Sequence, residues 1–195
     1  MGPDRARDVA CHLLSRELPR RWQHVQGVAG RAAEFGDVHD HRTTRLLIAA
    51  GYVHDIGYAP SLHDTGFHPI DGARHLRRLG FHEHLVSLVA HHTCAALEAE
   101  LWDLRHQLER EFPWQPQLPH DELLYCDLTT DPTGRQISVP DRLADIRHRY
   151  GPDTTVRRFV DRAEPDLEAA ALRAAAKLAG TGRRPRAWPA VSELV

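Results

Sequence analysis

The stretch "LLIAAGYVHDIGYAP", residues 46–60, constrains the chain most, because an apolar run passes directly into the neighbouring pair His54 and Asp55. An ionised carboxylate carried into an apolar interior costs far more than such a run returns, unless something cancels its charge. The spacing predicts a helix over 40–54, in which Leu47, Ala50, Gly51 and His54 follow i, i+3, i+4, i+7. His54 therefore continues a buried stripe. The interior must hold something that takes an imidazole and a carboxylate together.

Helical periodicity runs through the rest of the chain, and no run of alternating strand pattern competes with it. Helices are expected at 4–18, 20–35, 40–54, 69–79, 82–92, 94–111, 120–127, 140–149, 153–163 and 165–179. Pro19, Pro69, Pro119, Pro140, Pro152 and Pro165 sit where a first helical turn tolerates proline, and Gly36, Gly80 and Gly151 suit helix ends. Residues 57–69 read as a loop walling or lidding a site, and "TTDPTGRQISVP" (129–140) as a turn with at most a short hairpin near 133–139. The expected class is all-α: one compact helical bundle over 1–180, followed by a mobile tail over 181–195.

Histidine is over-represented, with 15 in 195 residues. Three helices end a buried stripe on a metal-type ligand. On 40–54 it is His54, on 82–92 it is His92 after Leu85, Leu88 and Val89, and on 120–127 it is Asp127 after Leu123 and Leu124. His24 lies one turn before Val28, at the edge of the stripe formed by Trp22, Val25, Ala29 and Ala32. A single buried histidine needs only a hydrogen-bond partner. Several converging from separate helices would each need a private one, whereas a shared divalent cation satisfies all of them at once.

The net charge of −2 gives no bulk attraction to nucleic acid polymers or anionic membranes. The longest apolar run is far too short to span a bilayer, and the N-terminus has no signal-type apolar region, so a cytoplasmic location is the default expectation. Cys11, Cys94 and Cys126 form no CxxC pair and read as reduced and mostly buried.

His24, then His54–Asp55, then Asp127, resembles the H…HD…D signature of the HD-domain metal-dependent phosphohydrolase superfamily. "RWQHVQGVA" is similar to that family's first ligand helix, "AAGYVHDIG" to its namesake motif and "YCDLTTDPTGR" to its closing aspartate, so the resemblance covers about residues 8 to 150. It implies a helical bundle with His24, His54, Asp55 and Asp127 as metal ligands. Two-metal members add two histidines, for which His68 in "HPIDGA" and His92 in "HHTC" are the matches; His63 and His91 are their rivals. The implied cofactor is a divalent transition metal, two ions with the full set. Fe or Mn suits His and carboxylate donors best, with Co, Ni, Zn or Mg as further candidates.

The implied chemistry is hydrolysis of a phosphoester or phosphoanhydride in a small, nucleotide-like molecule, through a water activated by metals that Asp55 bridges. Arg74, Arg77 and Arg78, on the helix that follows His68, and Arg142 downstream of Asp127 are the expected phosphate clamps. Many two-metal relatives carry HDIGK where this chain has Tyr58, so the lysine's role falls to Tyr58, His63 or an arginine. No GYP follows the double histidine, which disfavours cyclic-dinucleotide cleavage, and "HHT" is closer to small HD hydrolases of dinucleoside tetraphosphates. The alternatives are a di-iron oxygenase that cleaves a C–C or C–P bond, and a metal-stabilised nucleotide-binding module without catalysis. Oligomeric state has no sequence signal.

Overall fold

Helix boundaries follow the residues that cap them. In the computed structural model, which describes residues 2–182, the α-helices are α1 (Pro3–Leu14), α2 (Pro19–Ala32), α3 (His41–Val53), α4 (His68–Arg78) and α5 (Glu83–Ala90). They continue with α6 (Ala95–Glu100), α7 (Arg105–Glu111), α8 (His120–Leu128), α9 (Val139–Arg149) and α10 (Thr155–Gly180). Asp40 caps α3 by accepting from the Thr43 amide at 2.7 Å, Ser138 caps α9 through Asp141, and Thr154 caps α10 through Arg157. Pro19 opens α2 where its missing N–H has no intrahelical partner to lose. Gly80, at φ +71°, closes α4 in the left-handed conformation that glycine adopts without steric cost.

The class is all-α, as expected; no strand forms among the described residues. The "TTDPTGRQ" segment is a turn closed by one antiparallel bridge, Thr130 to Gln136. No described helix is long and apolar enough to cross a membrane. Of the tail expected over 181–195, residues 183–195 lie outside the described part. The three cysteines are free, with Cys126 buried and Cys11 and Cys94 partly so.

Two expected boundaries are corrected. The 94–111 helix is two, α6 and α7, because Asp103 takes φ 56° and the Leu104 amide closes back on the Ala99 carbonyl. Aspartate tolerates that conformation, and no glycine announced it. Conversely, 153–163 and 165–179 are one helix with Pro165 inside it. An interior proline costs ~3 kcal/mol. The face formed by Phe159, Val160, Ala163, Leu167, Ala170, Ala171 and Ala174 is buried along both halves, and burying Phe159, Val160 and Leu167 at ~1.5–3 kcal/mol each offsets that cost.

Packing then gathers the helices that carry the polar residues. α3 lies on α2, α8 lies between α2 and α10, and α5 sits against α3 and α4. The approach of α3 to α2 depends on Gly51, where an added Cβ would stand 2.8 Å from the Ala29 Cα. Gly57, just after the His54–Asp55 pair, is tighter still. A Cβ there would lie 2.0 Å from the His68 carbonyl oxygen, so the turn that follows α3 docks directly on the first residue of α4.

Candidate metal centre

Three imidazoles are aimed by backbone carbonyls, two of them at the ends of their own helices. His54 follows the last residue of α3 and donates Nδ1–H back to the Gly51 carbonyl at 3.0 Å. His92 does the same after α5, to Val89 at 2.6 Å, and His24 on α2 donates to the Asp131 carbonyl at 3.1 Å. A carbonyl only accepts, so each contact places hydrogen on Nδ1 and turns Nε2 inward. The three Nε2 atoms meet Asp55, Asp127 and His68.

His24 Nε2 lies 3.0 Å from Asp127 Oδ1, and His54 Nε2 lies 3.5 Å from Asp55 Oδ1 and 3.9 Å from Asp127 Oδ1. Asp55 Oδ1 is also 3.6 Å from His68 Nε2 and 3.7 Å from His92 Nε2. His24, His54 and Asp127 thus form one group with donor atoms within 4.8 Å of one another, and Asp55, His68 and His92 form a second. Asp55 stands at the seam, 4.0 Å from His24 as well.

The chemistry of these contacts calls for cations. His54 Nε2 is fully buried and has no hydrogen-bond partner, and what it faces are carboxylate oxygens. Burial pushes the His54 pKa down to about 4, so at neutral pH a lone pair points at negative charge. A divalent ion resolves the conflict. With N and O bonds of about 2.0–2.2 Å, it would hold donors roughly 3.0–3.5 Å apart, close to the spacings here. Burial works against the charged form of Asp55, but Arg21 and the imidazoles of His54, His92 and His68 outweigh it and hold the carboxyl well below the usual range. Asp127 is likewise lowered against its burial, by the neighbouring His24 and His54. Both acids are thus ready-made anionic donors, and the residues present fit a two-cation site.

Residues that the sequence reading did not single out complete the surroundings. Arg21 lies three positions before His24, on the same face of α2, and ion-pairs with Asp55 Oδ2. Its guanidinium stacks on the Tyr58 ring at 3.6 Å, and that ring stacks on His68 at 4.0 Å. Tyr58 is therefore a shelf, and Arg21 holds a positive charge beside Asp55. Burial raises the Tyr58 pKa well above its ordinary value, so its phenol stays protonated. Thr93 donates to Asp127 Oδ2 at 2.6 Å from a left-handed backbone (φ 48°), and Cys94 follows at φ 58°. Such strain in non-glycine residues persists only where the surroundings impose it.

Other expected site residues are elsewhere. His91 turns away from the cluster, donates to the Phe112 carbonyl and meets the edge of Trp114, so His92 takes the inward place. His63 is exposed on the 57–69 loop and does not line the cavity over the cluster. Arg74 pairs with Glu111 and Asp64, Arg77 with Glu83, and Arg78 is exposed. They miss because α4 starts at the cluster and runs away from it, by ~9–15 Å over six to ten residues. Arg142 does line the cavity, which measures about 110 Å³. One of its Nη atoms pairs with Asp145, while its Nε is buried without a partner.

A family model described as the HD domain matches residues 21–164. The chain belongs to the HD-domain family. The matched span begins at Arg21 and contains all six donors of the two groups. HD domains bind divalent metals and are mostly metal-dependent hydrolases, so the family's general chemistry accords with the donor set found here. No curated protein and no solved structure matches the chain.

Proposed function

We propose that this HD domain hydrolyses a phosphoester or phosphoanhydride of a small, nucleotide-like molecule, with two divalent transition-metal ions held by His24, His54, Asp55, His68, His92 and Asp127. The observation that carries the reading is Asp55, one carboxylate within 4.0 Å of the inward nitrogens of four imidazoles. Bound there, cations would polarise a water and offset negative charge on phosphate oxygens.

The chain's own residues supply position. The backbone carbonyls fix the imidazole tautomers, and ligand orientation by such partners is worth 10–100-fold in metal affinity or activity. Arg21, clamped on Tyr58, keeps Asp55 ionised and in place. Arg142, which lines the cavity, is the phosphate-binding arginine among the four first expected. Phe159 and Val160 of α10 make the apolar side that limits water.

The test is release of inorganic phosphate, without oxygen, by metal-loaded protein across phosphomonoesters, nucleotides and dinucleoside polyphosphates. Phosphate release supports the reading. Oxygen uptake with C–C or C–P cleavage and no anaerobic phosphate release would replace it with the oxygenase.

A further inference from the structure

Glu98 is the one acid on the cavity wall that nothing matches. It lies in α6, immediately beyond the strained Thr93–Cys94 turn, and is partly buried. Asp55 has Arg21, Asp127 has His24 and Thr93, and among the described residues the carboxyl group of Glu98 has neither a hydrogen bond nor an ion pair. Its oxygens are not sealed off, so they open to the same cavity as the metal-type ligands. It also stands outside both donor groups, which leaves it free of ligation. The cavity's arginines do not neutralise it: Arg21 is engaged by Asp55, and Arg142 and Arg149 by Asp145.

A second carboxylate facing a phosphate would repel the substrate. A carboxylic acid would do the opposite, donating a hydrogen bond and then a proton. We propose that Glu98 is the general acid of this site, donating its proton to the leaving-group oxygen of the scissile phosphoester. The proposal rests on the hydrolytic reading above.

The step balances with water as the only co-reactant. The water oxygen forms the new bond to phosphorus and gives up one proton. The bond from phosphorus to the leaving oxygen breaks with its electron pair, and that oxygen takes the proton of Glu98. The carboxylate so formed regains a proton through solvent, matching the one the water released. In the metal-free protein the surroundings favour the acid form. Burial pushes the Glu98 carboxyl up to about 7, with Asp55 adding to the shift and His92 opposing it, while Tyr58 faces it as a neutral phenol. In the loaded site a phosphate dianion bound beside it pushes in the same direction as Asp55, against the pull of the cations towards the ionised form. An acid poised near neutrality is the useful strength for proton donation at physiological pH.

The experiment compares wild type, Glu98→Gln and Glu98→Asp, each metal-loaded, on two esters. p-Nitrophenyl phosphate has a leaving group that departs without a proton, whereas a simple alkyl phosphate has one that needs it. The expected result is that Glu98→Gln loses ~10²–10⁴-fold in kcat/KM on the alkyl ester and less than ~10-fold on the activated one, with Glu98→Asp recovering part of the loss. Metal content should not change. The infrared C=O stretch of a protonated carboxylic acid, recorded at pH 6 with metals and inorganic phosphate bound, should be present in wild type and absent in Glu98→Gln. Equal losses on both esters, no loss on either, or no such band would overturn the assignment while the hydrolytic reading stands. A wild type inert towards every phosphoester would sink that reading, and the proposal with it.

Discussion

In the group formed by His24, His54 and Asp127, both imidazoles donate Nδ1–H to a backbone carbonyl. In the group formed by Asp55, His68 and His92, only His92 does. His68 makes its side-chain hydrogen bond to His92 and is otherwise held by stacking on Tyr58, at 12% side-chain exposure against 0% for His54. The first group is thus held by backbone throughout, from α2, the end of α3, α8 and the turn that follows α8. The second depends on a contact between two turns, because His68 is placed where Gly57 docks on its carbonyl. A rigid half and an adjustable half, sharing Asp55, should differ in how firmly they hold metal.

The sharpest way to break that contrast is to remove one imidazole from each half. His54→Ala takes away the donor with no other partner and should strip both ions to below ~0.5 equivalent, since Asp55 and Asp127 then repel across an unfilled gap. His68→Ala should cost one equivalent and spare the other. Elemental analysis of both variants after gel filtration decides it; His68→Ala emptying the whole cluster, with His54→Ala keeping one ion, would reverse the assignment of rigid and adjustable halves.

Gly57→Ala tests the dependence of the second half on its docking turn. The added Cβ would collide with the His68 carbonyl, so the backbone must shift. The expected cost is ~1–3 kcal/mol in denaturant unfolding, with weakened binding of one ion only. Equal weakening of both ions would mean that the two halves move as one.

A smaller effect concerns the cavity wall opposite the ligands. In metal-free protein, the Glu98 carboxyl is raised from 4.5 to about 7 by burial. The folded state therefore binds more protons than the unfolded one between those values, and stability falls as pH rises through that window. Glu98→Gln should match wild type below about pH 4.5 and exceed it by ~3 kcal/mol above about pH 7, measured by urea unfolding with chelator present. A pH-independent difference would remove Glu98 as the source. A stabilising change that harms turnover is the expected signature of a strained functional site.

The legible and illegible parts of the site divide along the same physical line. His54, His92 and Asp127 were readable from periodicity because each ends a buried stripe, and a stripe fixes which way a helical side chain faces. His68 opens α4 with no preceding stripe, so only the resemblance to HD domains pointed to it. The α4 arginines were expected at the phosphate because their helix follows His68, and nearness in sequence to a ligand does not give the direction of the axis. Arg21 carries a signal in its i−3 spacing from His24, which puts both on one face of α2. Thr93 and Cys94 carried none: left-handed backbone at two non-glycine residues is imposed by packing and is absent from local propensity. The fold followed the same rule. Capped helices such as α3 and α9 were legible, whereas the Asp103 break and the continuity of α10 through Pro165 came from tertiary burial that overrides local preference.

The central claim is that one shared carboxylate ties both halves to a pair of cations, and its most direct test is the metal stoichiometry of wild type beside Asp55→Ala, both purified without added metal. The account predicts about two equivalents of divalent transition metal per chain in wild type. In Asp55→Ala, helical content should be retained and metal nearly absent. Full metal occupancy in Asp55→Ala, or a wild type that takes up no divalent transition metal even when titrated with it, would contradict the account.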